Sequence, residues 1–179
     1  METNLTEIVN DENSFKEESV ADRLRKARQV AAEQQWIDLN IPGYNGELFC
    51  RYRLLDGKDL KSIADHVRQT IRDPDEQALA AGCDVLIRAC EEFWVRDNGE
   101  EIPVKELLDP PRPDFPVQYD TYLAEFLGYK DTLPDPPTRR SVVLGLFGGN
   151  EIALAAHNAD LTRWTMGKGS EVDMGLGGI

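Results

Sequence analysis

Cysteine and histidine are scarce in this sequence: 179 residues hold three cysteines and two histidines. Cys50, Cys83 and Cys90 are odd in number and form no CxxC pair, which argues against a disulfide framework and against a thiolate metal site. His66 and His157 stand apart, outside any HExxH pattern, and a metal or catalytic site needs two or three converging ligands. Positive charge is also short. Twenty Lys and Arg face 33 Asp and Glu, for a net charge of −13. Nucleic acid and anionic membrane are therefore not expected partners, since both are bound by neutralising phosphates. No stretch approaches the roughly 18–20 apolar residues that span a bilayer. The opening METNLTEIVNDENSFKEE lacks the basic and then apolar order of a signal peptide, so a cytoplasmic protein is expected. No internal repeat is present.

The hydrophobic share of 41% is enough for one core, and the length fits one domain with loose ends. Residues 1–16 are acidic and poor in large apolar groups, and are expected to be disordered. A single helical domain is expected over 17–166. Its first element is an amphipathic helix near 17–35, with Val20, Leu24, Ala27 and Ala31 on one face. Ile37, Leu39 and Ile41, then Leu48, Cys50, Tyr52 and Leu54, alternate with other residues around PGYNG, which predicts a β-hairpin near 36–55. Asp59 is read as the cap of a helix through Ile71, and Asp73-Pro74 as the start of a longer one. That second helix is expected to run from Pro74 to about Val95, with Leu79, Cys83, Leu86, Cys90, Phe93 and Trp94 inward. Asp97-Asn98-Gly99 would end it. A proline-rich connection follows near 103–118, then helical periods over 119–129, 137–147 and 150–164, and a flexible glycine-rich end over 167–179. The fold class expected is mainly α: a helical domain with one small antiparallel β-hairpin and flexible termini.

No constellation of catalytic residues emerges. GLFGGN before a helix has the glycines of a phosphate cradle. It lacks the Lys and Ser/Thr of a Walker loop and the preceding strand of a dinucleotide loop. Cys83 and Cys90, seven residues apart, read as small buried hydrophobes. Catalytic, cofactor-binding and metal residues are therefore expected to be none. The aromatics that lie in hairpin and proline-rich regions suggest an interaction surface. Tyr122, Phe126 and Trp164, beside flexible segments, are the candidate partner anchors, although each also fits a place in the core.

The run RRSVVLGLFGGNEIALAAHNADLTRW (139–164), with LIRACEEFWVR and TYLAEFLGY upstream, resembles the tail assembly chaperones of long-tailed (siphovirus-like) phages of actinobacteria. The likeness covers about Trp36 to Trp164. It implies a helper without catalysis or cofactor that holds the tape measure protein while tail tube protein polymerises around it. Such a helper acts in the host cytoplasm, is absent from the mature virion, and allows self-association. The alternatives are a phage structural or head-to-tail adaptor protein and, from another class, a small enzyme, whose sign would be a buried polar cluster in a cleft.

Overall fold

The computed structural model describes the backbone of residues 19–33 and 35–176 and the side chains of 19–30 and 35–167. The chain divides into two units, Met1–Gln34 and Gln35–Ile179. The acidic segment 1–16 lies outside the described residues. In the first unit, α1 spans Val20–Glu33, and Ser19 Oγ accepts the Asp22 N–H at 3.1 Å. Among its described side chains, Val20, Leu24 and Val30 are exposed.

The second unit is a mixed α/β fold built on a four-stranded antiparallel sheet, in place of the mainly helical domain with one hairpin that the sequence pattern suggested. Strands β1 (Trp36–Asn40), β2 (Leu48–Arg53), β3 (Cys90–Asp97) and β4 (Glu100–Pro103) lie side by side in chain order. The expected hairpin is β1–β2, with Trp36 opposite Arg53 and Asn40 opposite Phe49. Between β2 and β3 the chain forms α2 (Gly57–Thr70) and α3 (Pro74–Ala89). After β4 come α4 (Val104–Leu107), α5 (Thr121–Phe126), a single 3₁₀ turn, α6 (Arg139–Leu146) and α7 (Glu151–Leu176). Among the described residues no helix is long and apolar enough to cross a membrane.

The main correction concerns residues 90–103. The helix expected to reach Val95 ends at Ala89, where the Cys90 N–H still donates to the Leu86 carbonyl, and the chain then extends into β3. A β-bulge disguised the strand. Arg51 pairs with Glu92, but Tyr52 pairs with Cys90, so Glu91 is an extra residue. The alternation is reset there, and Cys90 and Phe93 are both buried at a spacing of three, as they would be on a helix. Asn98 (φ 50°) and Gly99 (φ 85°) are the two left-handed residues of a tight turn that pairs Asp97 with Glu100. The bulge is satisfied from outside the sheet: the Phe93 N–H donates to the Val117 carbonyl at 2.9 Å, and Gln118 Nε2 donates to the carbonyls of Cys90 and Glu91.

The other helix starts follow capping chemistry. Asp56, not Asp59, caps α2 by accepting the Asp59 N–H at 2.8 Å, while Asp73 accepts from Asp75 and Glu76 with Pro74 in the first turn. Thr138 and Ser141 form a reciprocal capping box at α6, and Asn150 Oδ1 accepts the Ala153 N–H at the start of α7. The core lies where the sheet, α3, α5, α6 and α7 meet, around Tyr52, Leu86, Phe93, Tyr119, Val143 and Leu161, all fully buried. Each such side chain contributes on the order of 1.5–3 kcal/mol by burial.

Candidate functional site

Three places in the second unit bring chemistry or shape together. The first is sealed. Tyr52 on β2, Tyr119 before α5 and His157 on α7 meet inside the core: Tyr52 Oη lies 2.5 Å from Tyr119 Oη and 2.9 Å from His157 Nε2. Phe93 packs edge-on against Tyr119, and Phe147 packs against the imidazole. Burial pushes both phenols well above their ordinary range and pushes His157 down to about 4, against a small opposing pull from Asp160. All three groups are thus uncharged near neutrality and share a chain of hydrogen bonds. Only 4% of His157 is exposed and none of either tyrosine, and the arrangement can hold the sheet, the 117–119 segment and α7 in register.

The second place is a polar cleft of about 560 Å³, lined by Arg53, His66, Asp84, Arg88, Glu91, Gln118 and Arg139, with Cys90 in its wall. Its charges are largely spent on one another. Arg53 reaches Asp59 at 3.2 Å and Glu91 at 3.7 Å, and Asp84 takes a two-pronged pair from Arg140 at 2.7 and 2.6 Å. Among the described residues, no group of three or more His, Cys, Asp or Glu is placed to hold a metal ion.

The third is a groove of about 770 Å³ between α3 and α7. On α3 it is lined by Asp75, Ala78, Leu79 and Gly82, and on α7 by Leu154, Ala155, Asn158, Ala159, Thr162 and Met166, among others. Helix α7 carries two rows. Leu154, His157 and Leu161 face the core and are buried. Ile152, Ala155, Ala159, Thr162 and Met166 recur at spacings of three and four along another face, the seam pattern that takes a neighbouring helix. Ile152 is 83% exposed and Met166 67%, large values for apolar side chains. At Gly82 the two helices close in: a Cβ there would stand 3.5 Å from Asn158 Nδ2. Asn158 Oδ1 is buried without a hydrogen-bond partner; the acids Asp75 and Glu151 stand in the lining together with Arg163, whose guanidinium pairs with Asp160 at 2.9 Å. Small walls and an apolar seam suit an incoming helix with large apolar side chains.

The anchors expected from sequence divide between two locations. Tyr122 and Phe126 share a cavity of about 510 Å³ with Leu107, Pro110 and Arg112; Tyr122 is exposed and its ring lies under the Arg112 guanidinium at 3.9 Å. Trp164 is outside that cavity, half-buried against the core from α7. The groove residues are mostly small and none is aromatic, so a pattern of aromatic anchors does not point to them. The signal that would have found them is the second row on α7, which gives that helix apolar residues on more than one side. The glycines of GLFGGN serve the backbone: Gly148 and Gly149 have φ of 61° and 71° in the α6–α7 joint, and Gly145 lies against the Tyr129 ring. No protein-family model matches this sequence, and comparison with curated proteins and with solved structures gave no significant match.

Proposed function

We propose that this protein is a phage tail assembly chaperone. It binds the tape measure protein, promotes polymerisation of tail tube protein around it, and carries out no chemistry of its own. The observation that carries this reading is the α3–α7 groove, whose lining residues Ala155, Ala159 and Thr162 belong to the same run, 139–164, on which the family resemblance rests, with the exposed Met166 just beyond it. A helical client that would otherwise aggregate is shielded by laying its apolar face in such a groove, and a body of net charge −13 keeps the complex dispersed. The protein acts in the host cytoplasm and leaves before the virion is complete.

The test is recovery of the tagged full-length protein from infected cells during tail assembly. Tape measure protein and tail tube protein are expected to come with it, and the purified virion is expected to lack it. Recovery of neither client overturns the proposal. Presence of the protein in virions at the copy number of a structural component replaces it with the adaptor reading.

A further inference from the structure

Two of the three cysteines are in contact. Cys50 Sγ on β2 and Cys90 Sγ on β3 are 3.4 Å apart, and neither is in a disulfide. The bulge causes this meeting. In the register that holds from Leu48 to Arg51, residue 90 would oppose Arg53 and point to the face away from Cys50. With Glu91 inserted, Cys90 opposes Tyr52, two positions from Cys50, and both thiols turn to one side. They differ in access. Cys50 is wholly buried, whereas Cys90 is 4% exposed and is one of the residues that line the polar cleft, where Gln118 Nε2 donates to its carbonyl at 3.0 Å.

We infer that Cys90 is an oxidation site for small hydroperoxides that enter the polar cleft, and that Cys50 is its resolving thiol, so that oxidation staples β2 to β3 with a disulfide. In the first step the Cys90 sulfur attacks the peroxide. The O–O bond breaks, an S–O bond forms, and the thiol proton leaves with the departing oxygen as alcohol, or as water from hydrogen peroxide. In the second step the Cys50 sulfur attacks the Cys90 sulfenic acid. The S–S bond forms, the S–O bond breaks, and the hydroxyl leaves as water with the Cys50 proton. Two thiols lose two electrons in all, and one hydroperoxide gains them. The division of roles follows from the surroundings: burial raises the Cys50 thiol well above its ordinary range, so it stays protonated and waits for the activated sulfur beside it. Cys83, on α3 and pushed up to about 11 by burial, is the internal control.

The test is to treat the native full-length protein with hydrogen peroxide, remove the oxidant, alkylate under denaturing conditions and map the peptides. The expected result is a loss of about 2 Da, a Cys50–Cys90 cross-linked peptide that dithiothreitol dissolves, an alkylated Cys83, and a rise in melting temperature of several degrees. In Cys50→Ser the reaction should stop at a Cys90 sulfenic acid that dimedone captures, and in Cys90→Ser Cys50 should remain a thiol. The wild-type map decides the matter without the variants if either misfolds. No cross-link in the folded protein, a cross-link that needs urea to form, or one that includes Cys83 would each overturn the inference.

Discussion

The core around Tyr52 and the groove between α3 and α7 draw on the same two helices and treat them in opposite ways. Toward the sheet, α3 and α7 present Leu86, Leu154, His157 and Leu161, from 0 to 4% exposed, with the Tyr52 and Tyr119 hydroxyls and His157 Nε2 joined by hydrogen bonds. Toward the groove they present Ala78, Gly82, Ala155 and Ala159, leave Asn158 Oδ1 unpaired, and expose Met166. One face is filled by side chains that the chain itself supplies. The other sets small residues between a few larger ones, the form expected where a second molecule supplies the filling. Stability should therefore be concentrated on the first face and client binding on the second.

The strongest way to break that division is to empty the filled face. Leu86→Ala removes a fully buried side chain beneath the sheet and should lower unfolding stability by about 2–5 kcal/mol. Urea denaturation measures it directly. A midpoint equal to that of the parent would show that the core is centred elsewhere.

Acid attacks the same face through His157. Its folded pKa, near 4 because of burial, lies below the ordinary 6.5. Above pH 6.5 the imidazole is neutral in both states and contributes nothing to pH dependence. As pH falls through 6.5 the unfolded chain takes up a proton that the folded chain refuses, so stability declines, and the loss levels off below about pH 4 at roughly 3 kcal/mol. The chain also carries 33 Asp and Glu, so the measured quantity is the difference in pH slope between the parent and His157→Gln. The parent should lose more stability between pH 6.5 and 4.5, and equal slopes would remove His157 from the account.

The two faces were unequally legible in the sequence. Asp73-Pro74, Asn150 and the alternation of Ile37, Leu39 and Ile41 are local signals with local causes, and they placed α3, α7 and the first hairpin. β3 was hidden because its bulge is a tertiary device: the extra Glu91 turns a period of two into a spacing of three, and the chain around residue 118 satisfies the orphaned carbonyls from a distance. Asn98-Gly99 was visible as a turn, and reading it as a hairpin turn instead of a helix end would have exposed the strand pair. The groove was legible only in part. The second row on α7 is in the sequence, but its closeness to Gly82 depends on how α3 packs.

A smaller effect is expected at the edge of the filled face. A Cβ at Gly145 in α6 would stand 2.7 and 2.8 Å from two carbons of the Tyr129 ring, whose hydroxyl donates to the Val142 carbonyl at 3.0 Å. Gly145→Ala must push that ring aside and should cost about 1–3 kcal/mol despite the better helix propensity of alanine. Chemical denaturation separates the two effects: a variant more stable than the parent would mean that Tyr129 is free to move and that the packing ends before α6.

The groove should show the smallest change in stability and the clearest change in binding. Ala159→Gln places a long, helix-compatible side chain on an exposed position of the α7 seam, where substitutions fall within about 0.5 kcal/mol of the parent. If a client helix lies between α3 and α7, the added chain occupies its place, and retention of tape measure fragments should weaken by about tenfold or more, equivalent to about 1.4 kcal/mol. Tyr122→Ala gives the matching probe at the separate cavity beside Arg112, and the two are compared on the same column with folding confirmed by circular dichroism. Loss of binding in Ala159→Gln alone places the client in the α3–α7 groove. Loss in Tyr122→Ala alone moves it to the α4–α5 side, and the open face of α3 and α7 would then need another explanation.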